Sequence, residues 1–184
     1  MLAEDASQTA ERELLRRAQA GHADAFGELY RRYMPGIYRF VFYRVRAEPD
    51  AEDITALVFL RAWQALPRYQ ERQIGLSAWL YRIARNAVID HYRTSRSHVS
   101  LDDPLDKGLV GDDGPDAGAL EEADQVWTGL GRLPEEQQTV LILRFVEGLS
   151  HAEVAEALGR SEGACRMLQH RALKALARML GEAK

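Results

Sequence analysis

"SHAEVAEALGRSEGACRMLQHRALKAL", residues 150–176, decides the fold of its part of the chain. Ser150 and Glu153 stand as S-x-x-E, the reciprocal cap that opens a helix. Val154 and Leu158 give that helix an apolar side, and Ala155 is small where a second helix must cross closely. Gly159 supplies the left-handed residue that ends it. Ser161 then caps a longer helix whose inner face carries Cys165, Leu168, Ala172 and Leu176. Two helices joined by so short a turn predict a helix-turn-helix. At about 100° per residue, Gly163, Met167, His170, Arg171 and Lys174 fall opposite the inner face. Arg166 lies on one flank and Arg160 in the turn. That face offers the cations and hydrogen-bonding groups a major groove requires. The bland alternative is a solvated amphipathic helix, but the turn grammar is independent of the charges. Cys165 reads as a small core residue; His170 either contacts a base or phosphate or is simply exposed.

Upstream, "WLYRIARNAVIDHYR", residues 79–93, reads as a second amphipathic helix. Arg82, Asn86, Ile89 and Arg93 share one side, with Arg85 and Asp90 flanking. Leu80, Ile83, Ala84, Ala87, Val88 and His91 form the other, and Trp79, Tyr81 and Tyr92 stand at the margins. Cations track phosphates and aromatics can stack unpaired bases, which suits partly melted DNA. The competing reading makes the aromatics ordinary core, and His91 is expected there too. Ser77 is expected to cap this helix, and Pro35 to mark a break in an earlier, aromatic-rich one.

Strand signals are weak throughout, and helical spacing recurs. The expected fold is all-α: two small helical modules, 1–95 and 120–184, joined by a flexible acidic linker over 96–119. The stretch 95–118 holds four glycines, two prolines and six aspartates. Such text cannot bury enough surface to offset chain entropy. The net charge of −4 conceals this asymmetry, since residues 96–124 carry 9 acids against 2 bases while both flanks are mildly basic. The acidic balance is therefore no argument against nucleic acid as a partner. A single cysteine excludes a disulfide framework, and a charged N-terminus and the lack of a long apolar run point to a cytoplasmic setting. No paired carboxylates, nucleophile elbow, phosphate loop or metal cluster stands out, so neither catalysis nor a cofactor or metal is expected.

"DAFGELYRRYMPGIYRFVFYR", "AEDITALVFLRAW", "WLYRIARNAVIDHYR" and "LPEEQQTVLILRFVEGLSHAEVAEALG" follow one another in this order. Together they resemble the extracytoplasmic-function group of bacterial RNA polymerase sigma factors, over roughly residues 10–95 and 120–180. The resemblance implies a protein that binds core RNA polymerase and directs promoter-specific initiation. Region 2, the first module, would hold and open the −10 element through Arg82, Arg85, Asn86 and Arg93. Tyr69, Gln70 and Gln73 of the preceding connector would capture an unstacked base. Asp50, Glu52, Asp53 and Arg61 would dock on the polymerase clamp, with Phe59 and Trp63 packing internally. Region 4, the second module, would read the −35 duplex with Arg160, Gly163, Arg166, Met167, His170, Arg171 and Lys174. An anti-sigma factor is an implied further partner. Two pairs of residues depart from the family pattern. Ala56 and Leu57 replace a polar pair at the clamp contact, and Met167 and Leu168 replace a Ser-Arg pair on the recognition helix. The alternative is a stand-alone helix-turn-helix regulator with a helical sensing or dimerisation domain.

Overall fold

The computed structural model describes residues 2–71, 74–98 and 125–181, and the side chains of all of these except 2–8 and 95–98. The first module consists of α1 (Leu2–Gln19), α2 (Ala23–Val45), α3 (Glu48–Ala65), a 3-10 turn (Leu66–Arg68) and α4 (Leu76–His98). The second begins with helical residues 125–131, which form α5. It continues with α6 (Glu135–Leu141), a π turn (Ile142–Val146), α7 (His151–Leu158) and α8 (Glu162–Gly181). Among the described residues there is no strand, and no helix is long and apolar enough to cross a membrane.

The first module's core is one interior shared by α1 to α4. Ile37, Phe40 and Val41 of α2 meet Ala51, Val58 and Ala62 of α3 and Ala78, Ala84 and Val88 of α4, all essentially inaccessible. The alanines let the helix axes approach closely, and the large side chains fill the space between them. Each fully buried Phe, Ile or Val contributes about 1.5–3 kcal/mol.

Local signals explain most boundaries, and three differ from expectation. Helix α2 passes through Pro35 without breaking. Proline removes one backbone donor, but the turns beyond it carry Ile37, Phe40 and Val41 into the core, and that burial holds the helix together. Helix α4 opens at Leu76. Trp79 N–H donates to Gly75 C=O over 2.9 Å, so Ser77 lies inside the first turn and does not cap it. At its other end α4 runs to His98, three residues past the expected module boundary. The rest of the linker lies outside the described residues.

The two modules pack together: α7 lies on α4, and the π turn on α2. Leu130, Leu133, Val140 and Ile142 of the second module belong to the same continuous cluster of buried residues as the first module's core.

Candidate nucleic-acid interface

The helix-turn-helix forms as its sequence dictates. Ser150 Oγ accepts from Glu153 N–H at 3.2 Å, and Ser150 N–H donates to Glu153 Oε2 at 2.7 Å, completing the capping box. Gly159 closes α7 at φ 63° and ψ 37°. Ser161 Oγ accepts from Ala164 N–H at 3.2 Å and sets the start of α8. Cys165 and Ala172 are buried against the rest of the module. Gly163, Arg166, Met167, His170, Arg171 and Lys174 all face outward. Arg160 is exposed in the turn, where its Nε donates to Glu136 Oε1 at 3.2 Å and Nη2 reaches the same oxygen. Burial pushes the Cys165 thiol above its usual range, the nearby Arg160 opposing it, which agrees with a packing residue.

On α4, Arg82, Asn86 and Arg93 are exposed along one stripe, as the helical wheel requires. Arg85 is more enclosed, its Nε lying 3.3 Å from Glu135 Oε1. The aromatics that could have offered stacking surfaces are core instead. Trp79 and Tyr81 are buried, and Tyr92 donates its hydroxyl to the Arg44 carbonyl. His91 is not a core histidine. It is half-buried at the rim, with Nε2 at 3.7 Å from Asp50 Oδ2.

The connector is framed from within. Tyr69 is 7% exposed, so it forms no part of the connector's open rim. Its hydroxyl donates to Ile74 C=O at 2.7 Å and its ring centroid lies 4.6 Å from that of Trp79. Those two contacts close the loop on itself, and a ring turned outward would lose both. Gln19 Nε2 donates to Tyr69 C=O at 2.8 Å, tying the loop to α1. Gln70 is exposed, and Gln73 lies outside the described residues.

The clamp candidates lie on or beside one side of α3. Glu52 and Asp53 are exposed. Asp50 faces His91, and Arg61 Nη1 donates to Asp90 Oδ2 at 3.1 Å. Phe59 is buried edge-on to Tyr30, and Trp63 packs on Phe26, as expected. Leu60, at 53% exposed, was not singled out by sequence. Its position three residues after Leu57 and seven after Asp53 is the signal that could have found it.

Sequence reasoning also missed the polar contacts between modules, because nothing in helical periodicity pairs distant residues. Arg39 donates to both oxygens of Glu147, at 3.1 and 2.9 Å, and Tyr81 Oη donates to Glu147 Oε2 at 3.0 Å. Burial and that carboxylate push the Tyr81 phenol up. Arg44, nearly inaccessible, donates to Thr139 Oγ1 at 2.6 Å. Gly75 N–H donates to Glu156 Oε2 at 3.1 Å. Tyr43 stacks on Trp127 at 3.9 Å and 6°.

Among the described residues, no group of three His, Cys, Asp or Glu is placed to hold a metal ion. The geometry is that of a helix-turn-helix packed beside a helix with an exposed Arg82, Asn86 and Arg93 stripe. The sigma-70 region 2 family matches residues 29–98, and sigma-70 region 4 matches residues 123–176. The chain is 44% identical over 174 residues to the ECF RNA polymerase sigma factor BldN of Streptomyces coelicolor, covering 91% of this chain and 65% of that one. It is 38% identical to the ECF RNA polymerase sigma factor SigD of Mycobacterium tuberculosis, covering 86% of this chain and 78% of that one. The fold matches CnrH, solved in complex with the cytosolic domain of CnrY. That match has a TM-score of 0.74 and 27% identity, covering 95% of this chain and 99% of CnrH. The chain belongs to the extracytoplasmic-function sigma factors of the sigma-70 family.

Proposed function

We propose that this chain binds core RNA polymerase and directs it to particular promoters, with no catalysis of its own, in the cytoplasm. Region 2, over 1–95, docks through Asp50, Glu52, Asp53 and Arg61, with Leu57 and Leu60 adding an apolar contact; Ala56 and Leu57 stand where the family pattern has a polar pair. Arg82, Arg85, Asn86 and Arg93 hold the −10 strand as it leaves the duplex, and Gln70 and Gln73 of the connector meet an unstacked base. Tyr69 stiffens that connector from below. Region 4, over 120–184, enters the −35 major groove with the face from Arg160 to Lys174. The residues 96–119 join the two. Beyond His98, residues 99–119 reach about 70 Å fully extended, against ~70 Å between elements two helical turns apart, so polymerase must hold that stretch nearly straight.

The observation that supports this reading best is the pairing of opposite faces on α8. Cys165 and Ala172 are buried, while six residues of the proposed reading face are all open. A stand-alone regulator would carry a sensing or dimerisation domain as its first module; the region 2 match over residues 29–98 argues for the polymerase-dependent role instead. An anti-sigma partner is proposed by analogy with CnrH, which is described bound to part of CnrY.

Run-off transcription with purified core polymerase tests the reading, wild type beside Arg82→Ala/Asn86→Ala. Wild type should start transcripts that core alone does not, and the double variant should lose them. Identical transcripts with and without this chain would refute it.

A further inference from the structure

Among the six outward residues of α8, Met167 is the single large apolar side chain, and it is 53% exposed. The Met167–Leu168 pair divides between two environments. Leu168 packs against the core of the module, whereas Met167 takes no part in that packing. Its neighbours on the open face are Arg166, whose Nη2 lies 3.3 Å from Glu162 Oε2, and the exposed His170, Arg171 and Lys174. An apolar chain thus stands at the centre of an otherwise polar and cationic surface.

The backbone beside it is bare. Gly163 precedes Met167 by one turn on the same face, and no atom lies within 4 Å of where a Cβ on it would sit. Base edges can therefore approach α8 closely at that point. Helical side chains lean toward the N-terminus, so Met167 borders the gap. What can it meet there? A thioether has no donor and is a weak acceptor. Set against the N7, O6, O4 or amino groups of a major-groove edge, it would strip water and return no hydrogen bond. The C5 methyl of thymine is the one apolar group those edges carry.

We infer that Met167 is a specificity-determining residue that reads the C5 methyl of a thymine in the −35 major groove, beside the space Gly163 leaves open. The inference rests on the proposed placement of α8 in that groove. The cations around Met167 hold phosphates and set the register, and Met167 supplies discrimination at one base pair. Cytosine in the same place offers a bare C5 and an amino group, which the thioether cannot satisfy.

The test uses holoenzyme assembled from purified core polymerase and a promoter from which run-off transcription shows it to start. Each thymine of the −35 element, on either strand, is replaced in turn by deoxyuridine, which keeps the pairing and O4 and lacks only the methyl. Competition binding of the substituted duplexes then compares wild type with Met167→Ala and Met167→Leu. At one position deoxyuridine should weaken wild-type binding about fourfold, the worth of one methyl-sized apolar group. Met167→Ala should bind the thymine and deoxyuridine duplexes equally there, and Met167→Leu, still apolar and of similar volume, should keep the preference. Because Met167 is exposed, neither substitution disturbs the core. Wild-type binding that no deoxyuridine weakens overturns the inference, as does a loss that persists unchanged in Met167→Ala. A −35 element with no thymine on either strand overturns it as well. Promoter-dependent starts without methyl dependence would sink this inference alone, and no starts at all would sink the sigma-factor reading beneath it.

Discussion

Gly36 lies so close to Tyr81 that a Cβ there would come 2.7 Å from the phenolic oxygen, and it would also come 2.9 Å from Glu147 Oε2. The glycine is what lets the buried carboxylate and its hydroxyl partner reach the α2 backbone. Tyr81 cannot swing away, because its ring packs edge-on to Phe40 at 5.6 Å. Gly36→Ala should therefore destabilise the protein by about 1–3 kcal/mol despite its better helix propensity. Gly27, on the same helix, has open space where a methyl would sit, with no neighbouring atom within 4 Å. Gly27→Ala should stabilise by roughly 0.5–1 kcal/mol. Urea unfolding of both variants checks the opposite signs; equal shifts would show that Gly36 is not tightly packed.

The capping box offers a second, local measurement. Ser150→Ala removes the acceptor for Glu153 N–H and should lower stability by about 1 kcal/mol. Glu153→Ala removes the reciprocal acceptor for Ser150 N–H. Because the two bonds brace one turn, the double variant should fall short of the sum of the singles. A double-mutant cycle on thermal midpoints reads this directly, and full additivity would mean that the two bonds act independently.

What the sequence made legible followed from local rules. The turn at Ser150, Gly159 and Ser161 and the two faces of α8 were readable because capping and 3.6-residue periodicity are short-range. The exposed Arg82, Asn86 and Arg93 stripe was readable on the same grounds. Trp79 and Tyr81 were ambiguous, since an aromatic at a helix margin can face either way and only tertiary packing decides. The Arg39–Glu147 contact was invisible. Arg39 and Glu147 are 108 residues apart, and no periodicity links a cation on α2 to a carboxylate beyond α6. Pro35 misled for a related reason: its local penalty is real, but the burial of Ile37, Phe40 and Val41 outweighs it.

The exposed leucines of α3 give a prediction about partner binding. Leu60 contributes little to the folded chain, being 53% exposed, while its neighbours Val58 and Phe59 are buried. Leu60→Asp should leave the protein's stability within about 0.5 kcal/mol of wild type. On the proposed clamp contact it should weaken association with core polymerase by roughly tenfold or more, because an apolar contact is exchanged for a desolvated charge. Fluorescence anisotropy with labelled protein and core polymerase measures this. Unchanged affinity would take Leu60 out of the contact.

Cys165 ties pH to the second module. Its side chain is inaccessible, and burial holds the thiol above its ordinary value of about 8.5, with Arg160 pulling the other way. A thiol whose proton is held more tightly in the folded state contributes stability below the unfolded pKa. That contribution is lost as pH rises through the folded value. At pH 7.5 the native protein should therefore react with iodoacetamide far more slowly than the urea-unfolded chain. Raising the pH to 9.5 should lower the module's stability beyond what a Cys165→Ala variant loses over the same interval. Mass spectrometry of the alkylated protein and urea melts at the two pH values provide the readings. Rapid native alkylation at pH 7.5 would place the thiol at the surface, and with it the inner face of the recognition helix.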